Sequence, residues 1–444
     1  MSKLALLGGT PVFSDVKAPQ ELFKWPIITQ EDIDAATDVI VNNKFSGTDL
    51  TTQFEDEFAQ WQGRKHALAF TNGTMSLAAA MFAVGLSEGD EIICPTKTYW
   101  ASVAQAAYFG AKAVFCNVNE AMVMDPVDLE KRITPRTKAI MVVHYMAHPC
   151  DMDAIMEIAN RHNLYVIEDV SHAHGSMYKG KKCGNFGHVA AMSMMSQKLF
   201  AAGELGMLVT DDRKLYERAI AYGHYERNND NFVLESDELK RFFHIPVGGV
   251  KGRANQLCVA LARVQLKYFD ERSAEINRAI NYFFDCLEGL PGIKPRRVDV
   301  SDGSSMGGYY VPKLTYRPQE LEGLSSARFA AAVRAEFNGS SSCGSKANFC
   351  LHGHEYFTHF DPLHSTAPKT DPFVVDETLL PSEQTYCISV PWFKHFDKEW
   401  IDLFVSAYKK VLENYKDLLE GDENRLEGDW YGSDYDKDYT KKDA

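Results

Sequence analysis

The chain has 444 residues, with 47 basic against 61 acidic side chains and a net charge of −14. That length exceeds one ordinary core and implies at least two packed units, while 45% hydrophobic and 24% charged residues is the composition of a globular protein in water. The acidic balance disfavours nucleic acid and anionic membrane surfaces as partners, although a local cluster of donors can still hold an anionic small molecule.

The nine cysteines are odd in number, widely spaced and form no CxxC. They read as reduced thiols of a cytoplasmic protein, not as a disulfide framework or a zinc site. The opening run Leu4-Ala5-Leu6-Leu7 is too short for a signal peptide. No stretch approaches the roughly 18 apolar residues of a membrane span.

In chain order, the first chemical signal is Thr71-Asn72-Gly73-Thr74, which opens an Ala-rich helix. Free N–H groups at a helix start, with Gly73 allowing close approach and Thr74 offering a hydroxyl, make an anion site; a plain helix cap is the alternative. Glu91–Cys94, Ala113–Cys116, Ala139–Val143 and Tyr165–Ile167 read as buried strands. Ser102–Phe109 and Met152–Arg161 between them read as helices. Such alternation implies βαβ units and a mostly parallel sheet, whose ligands sit at the carboxyl ends of strands.

At the end of one predicted strand stands Glu168-Asp169-Val170-Ser171-His172-Ala173-His174-Gly175. A buried carboxylate there needs a cationic partner, and a protonated pyridine nitrogen is one; capping of the next turn is the plain alternative. Metal binding by His172 and His174 lacks an evident third ligand. Next, Lys198 lies among apolar residues before a glycine-containing turn and the strand Met207–Val209. A desolvated lysine has a lowered pKa, so its neutral amine can form an imine with an aldehyde cofactor and move protons; a lysine that snorkels to solvent is the alternative.

A long helical pattern runs from Arg253 to about Leu287, and a polar, loop-like stretch from Arg296 to Met306. Phe329–Glu336, Tyr386–Val390 and Trp400–Leu419 read as helix, strand and helix of a smaller domain. Lys346-Ala347-Asn348-Phe349 and His352-Gly353-His354 either bear on specificity or form a surface loop. The end of the chain, rich in Asp, Gly, Lys and Tyr, reads as a solvated tail. The expected division is an N-terminal arm (1–25), a large domain (26–268), a small domain (269–419) and an acidic, disordered tail (420–444).

The ordered set Asn72-Gly73-Thr74, Pro95-Thr96-Lys97-Thr98-Tyr99, Thr134-Pro135-Arg136-Thr137-Lys138, Glu168 to Gly175, and Ser193 with Lys198 five residues on resembles the DegT/DnrJ/EryC1/StrS family. That resemblance, over roughly residues 5–415, implies a pyridoxal-phosphate-dependent aminotransferase of fold type I. It implies an α/β large domain with a mostly parallel seven-stranded sheet between helices, and a smaller α+β C-terminal domain. By the same resemblance Lys198 carries the cofactor and Asp169 pairs with its pyridine nitrogen. His172 lies near its phenolic oxygen, Gly73, Thr74 and Ser193 hold its phosphate, and Tyr99 stacks on its ring.

Three departures stand out. Lys251 in Gly249-Val250-Lys251-Gly252-Arg253 replaces an Asn that reaches the phosphate across a homodimer interface; an ammonium can do the same. Leu205 stands where relatives tend to have Gly, and His224 stands at a place that touches substrate. Trp100 beside Tyr99 is a second substrate candidate. The implied reaction moves an amino group from L-glutamate or L-glutamine to a keto sugar or keto cyclitol, inosose-type or nucleotide-linked. The rival readings are a catalytically silent sensor of the same fold, an aminohydroxybenzoate-synthase-like enzyme and a metal-dependent hydrolase.

Overall fold

The computed structural model describes residues 3–227, 234–345, 347–348, 350–358 and 386–422. Lys346, Phe349 and most of the acidic tail lie outside them.

Seven strands form the main sheet: β1 (His66–Phe70), β2 (Glu91–Pro95), β3 (Lys112–Cys116), β4 (Thr137–Val143), β5 (Tyr165–Asp169), β6 (Val189–Ser193) and β7 (Gly206–Thr210). Their order is β1-β7-β6-β5-β4-β2-β3. β7 pairs antiparallel with both β1 and β6, whereas β6-β5-β4-β2-β3 pair in parallel, so the sheet is mostly parallel as expected. Period-2 alternation sorts its side chains between two apolar layers. Val189 and Ala191 of β6 join one core, Ala190 and Met192 the other. Strands covered on both faces can be apolar throughout, which is why this part of the sequence carries such runs.

The principal helices are α1 (Gln30–Val41), α2 (Asp49–Gln62), α3 (Gly73–Ala83), α4 (Met152–His162), α5 (Arg213–Gly223), α6 (Gln256–Leu287), α7 (Ser326–Phe337) and α8 (Lys398–Glu413). The expected helix over Ser102–Phe109 is instead two 3-10 turns, Trp100–Ser102 and Ala104–Phe109. Val103 at φ −142° interrupts them, because an extended φ breaks the helical ladder. Asn255, whose side chain accepts from the Leu257 N–H, starts α6, two residues inside the expected Arg253.

α6 carries 32 residues. Its buried Phe269, Ile276, Ile280, Phe283, Phe284 and Leu287 belong to one core with Ile293, Leu314 and Ile388 of a second, antiparallel sheet. That sheet is β8 (Ile293–Pro295), β9 (Lys313–Tyr316) and β10 (Cys387–Ser389), with α7 and α8 packed beside it. The stretch Arg296–Met306 has no regular structure beyond isolated pairing at Ser305, but Arg296 is buried; its guanidinium donates to the backbone carbonyls of Ala121, Tyr145 and Met146.

Two glycines bring β6, β7 and the start of α3 together. A Cβ on Gly73 would stand 2.5 Å from the Cβ of Ser193, and one on Gly206 would stand 2.2 Å from the Asn72 carbonyl oxygen. Gly73→Ala should therefore destabilise the chain by about 1–3 kcal/mol through overpacking. Thermal unfolding checks this; an unchanged midpoint would show that the contact is slack.

Candidate active site

The carboxyl ends of the parallel strands meet at one cavity of about 640 Å³. β4 contributes Val143, β5 Asp169 and β6 Ser193, while the turns after β1 and β2 contribute Asn72, Gly73, Thr74, Thr98 and Tyr99. Parallel strands all end on the same side, so residues distant in sequence arrive there together.

Lys198 lines this cavity from the loop between β6 and β7. Burial pushes its amine down to about 8, against the opposing pull of the Asp169 charge. The amine stands 4.7 Å from the centre of the Tyr310 ring. Asp169, 5% exposed, accepts from the Ser102 hydroxyl at 2.7 Å on one oxygen and from the Ser171 N–H at 3.0 Å on the other. Both bonds fix the direction of the carboxylate in the cavity wall.

His172 faces the same cavity. Its Nδ1 accepts from the Met146 N–H at 3.3 Å, and its ring lies 4.6 Å from Tyr310 and 5.4 Å from Tyr145. Burial, then the nearby Lys198 charge, holds its pKa well below the usual range. A neutral ring accepting on Nδ1 carries its proton on Nε2. His174 points elsewhere: it is 1% exposed, packs 6.0 Å from Phe200, and burial pushes it down to about 3. His172 lines the cavity and His174 does not, and among the described residues no group of three or more His, Cys, Asp and Glu side chains is placed to hold a metal ion.

Asn72 caps α3 by accepting from the Met75 N–H at 2.9 Å. The N–H groups at this start, with the Thr74 and Ser193 hydroxyls, form the polar end of the cavity. The Ser193 N–H donates to the Ser171 hydroxyl at 3.0 Å, tying β6 to the loop that follows Asp169.

Three candidates fall outside the cavity lining of a single chain. Lys251 is exposed on the segment that runs beside Phe70. Trp100 is 37% exposed, its ring 5.0 Å from that of Tyr99. His224 is fully buried behind β1, 4.9 Å edge-on to Phe70 and 3.4 Å from Glu226. The position that suggested substrate contact is turned into the core by its place at the end of α5. Conversely, the cavity gains Ser102, Gln197, Glu204, Tyr310 and Asn348. Asn348 is buried and accepts from the Tyr145 hydroxyl at 2.6 Å, and Ala347 beside it is buried too, so these two residues are not surface loop. His352 is likewise buried, 2.6 Å from the Thr96 hydroxyl.

The sequence profile of the DegT/DnrJ/EryC1/StrS aminotransferase family matches residues 26–385. The chain belongs to that family. Among curated relatives of this aminotransferase-family chain is the GDP-perosamine synthase of Escherichia coli O157:H7, 40% identical over 220 residues. That alignment covers 49% of this chain and 58% of the relative. The spore coat polysaccharide biosynthesis protein SpsC of Bacillus subtilis is 28% identical over 88% of this chain and 97% of its own. Among solved structures, the aminotransferase from Psychrobacter cryohalolentis is similar at a TM-score of 0.75 and 28% identity, covering 90% of this chain and 99% of that one. The family member described here accordingly has the fold type I architecture of pyridoxal-phosphate-dependent transferases. No helix among the described residues is long and apolar enough to cross a membrane.

Proposed function

We propose that this protein is a pyridoxal-phosphate-dependent aminotransferase that takes an amino group from L-glutamate or L-glutamine and gives it to a keto sugar or keto cyclitol. The observation that carries the proposal is the convergence of a buried amine, a fixed carboxylate and a helix start on one cavity. The names of relatives such as GDP-perosamine synthase support a sugar-like acceptor.

The residues present fit the cofactor. Lys198 would carry it covalently, Asp169 would meet its ring nitrogen and His172 its phenolic oxygen. Gly73, Thr74 and Ser193 would hold its phosphate, helped by the close approach that the missing Cβ of Gly73 permits. Tyr99 would cover its ring. Lys251, exposed in one chain, would reach the phosphate bound by a second subunit of a homodimer. When bound, pyridoxal phosphate supplies an electron sink that acidifies the Cα–H of the amino donor.

The chain's own residues do the rest. The Lys198 amine, lowered towards neutral pH, would take the donor's Cα proton and hold it for delivery to the cofactor's aldehyde-derived carbon. Asp169, held by Ser102 and Ser171, keeps a positive charge in place opposite it. Tyr99 and Tyr310 flank the reacting atoms and exclude water. Gln197, Glu204 and Asn348 offer hydrogen bonds to a hydroxyl-rich acceptor.

The test is direct. The purified chain is supplied with pyridoxal phosphate and reduced with borohydride, and the modified peptide is identified. A label on Lys198, and loss of the cofactor's visible absorbance on adding L-glutamate, are expected. Amine transfer to inososes, free keto sugars and nucleotide-linked keto sugars then names the acceptor class. A label elsewhere, or no transfer to any of these, overturns the reading.

Replacing Ser102 with Ala removes one charge-assisted hydrogen bond to Asp169 and should cost about 1.5–3 kcal/mol. The cofactor dissociation constant measures it. An affinity unchanged within twofold would show that Ser171 alone suffices.

A further inference from the structure

Lys394 is a buried amine with no evident work. It is 3% exposed, and its Nζ has no hydrogen-bond partner among the described residues. It stands 2.6 Å from the centre of the Trp392 ring and 4.9 Å from that of Trp25. Its backbone N–H donates to the Leu22 carbonyl at 2.8 Å, which ties it to the N-terminal segment carrying Trp25. An amine buried this way is costly, and stacking against two indoles offsets only part of that cost.

Each of those indoles spends its N–H on a loop of the cavity. Trp25 Nε1 donates to the Lys198 carbonyl at 2.8 Å. Trp392 Nε1 donates to the Gly308 carbonyl at 3.0 Å, two residues before Tyr310. The ring of Tyr310 meets Trp392 edge-on at 5.4 Å and lies under the Lys198 amine at 4.7 Å. The two tryptophan rings are themselves 6.4 Å apart. Trp25, Lys198, Tyr310 and Trp392 therefore form a closed circuit, with Lys394 wedged against its two indoles.

We propose that Trp25, Trp392 and Lys394 are positioning residues that lock the Lys198 loop and the Tyr310 loop in one register. The proposal rests on the assignment of Lys198 given above. None of the three lines the cavity, so they act through the backbone that presents Lys198 and Tyr310. A hydrogen bond to the carbonyl of Lys198 itself fixes the peptide from which the amine extends. Loosening it lets the side chain swing towards water, which restores the amine's ordinary basicity.

The experiment uses the full chain without added cofactor. The pH dependence of Lys198 acetylation by acetic anhydride, read by peptide mass spectrometry, gives the midpoint of that amine. Trp25→Phe keeps the ring and removes the N–H; Lys394→Met keeps the length and removes the amine. In both, the midpoint is expected to rise by about one unit above wild type. In the cofactor-loaded enzyme kcat is expected to fall by about ten- to a hundredfold, with donor KM within twofold. A lowered melting temperature with an unmoved Lys198 midpoint would show packing alone and overturn the proposal. A shift in Trp25→Phe but not in Lys394→Met would overturn the part played by Lys394. Borohydride labelling at another lysine would instead overturn the assignment of Lys198, which these midpoints do not test.

Discussion

Replacing Lys198 with Met should abolish amine transfer and, at the same time, stabilise the cofactor-free protein. The loss of activity follows from removing both the anchor of the cofactor and the group that moves the proton. It should reach at least about 10³-fold, with no borohydride label on the chain. The gain in stability follows from electrostatics. Burial lowers the Lys198 amine from an ordinary 10.5 to about 8. Near pH 7 the amine is protonated in both folded and unfolded chains, so the folded state bears the full cost of a desolvated ammonium, about 3 kcal/mol. Between pH 8 and 10.5 the folded chain has released this proton while the unfolded chain still holds it, so the wild-type penalty fades as pH rises. Unfolding curves of Lys198→Met and wild type should therefore be well separated at pH 7 and converge towards pH 10.5. Curves that coincide at pH 7 would refute the burial cost; transfer activity that survives would refute the catalytic role.

Asp169→Asn should be the second most damaging substitution. Asn keeps the size; its one carbonyl oxygen can still accept from the Ser171 N–H, while its amide nitrogen donates to the Ser102 hydroxyl oxygen, so the fold should hold. What disappears is the fixed negative charge. Without it the ring nitrogen of bound pyridoxal phosphate would no longer be held protonated, which would weaken the electron sink, and the fall in kcat is expected at about 10²–10³-fold. Steady-state kinetics with L-glutamate measure this, and circular dichroism checks the fold. The neighbouring Glu168→Gln should behave in the opposite way. Glu168 points to the other side of β5, fully buried, where it accepts from the Gly184, Phe186 and Gly187 N–H groups and meets His144 at 3.0 Å. Its replacement should lower the melting temperature and leave the chemistry of the folded fraction intact.

Much of this was legible in the sequence, for reasons that differ by element. The strands of the parallel sheet announce themselves because they are covered on both faces, and Ala139–Val143 admits no polar side chain. Asp169 stands out because it follows such a run, whereas Ser193 is legible only through the family resemblance. Asn72-Gly73 is legible as a helix start because cap chemistry is local. Other parts depend on contacts across the chain. Ser102 sits in a stretch that reads as one helix but is a broken pair of 3-10 turns, and only the fold brings it 67 residues along to Asp169. Tyr310 follows a stretch that reads as loop, yet it lies against both Lys198 and His172. His224 shows the reverse: its motif position suggested the cavity, but the C-terminal end of α5 turns it behind Phe70. Side-chain direction at a helix end is set by tertiary packing and has no one-dimensional signature.

The unbroken run of α6 also limits how this molecule can move. Thirty-two residues at 1.5 Å each make a rod of about 48 Å, anchored at one end beside the main sheet and at the other in the small antiparallel sheet. A rod of that kind transmits displacement by leverage: a tilt of about 5° carries its far end by about 4 Å with no change in any of its own backbone angles. Any opening or narrowing of the cleft would then have to be taken up outside this rod, in the non-helical stretches beside Trp25 and along Arg296–Tyr310, where the rings of Trp25, Trp392 and Tyr310 meet.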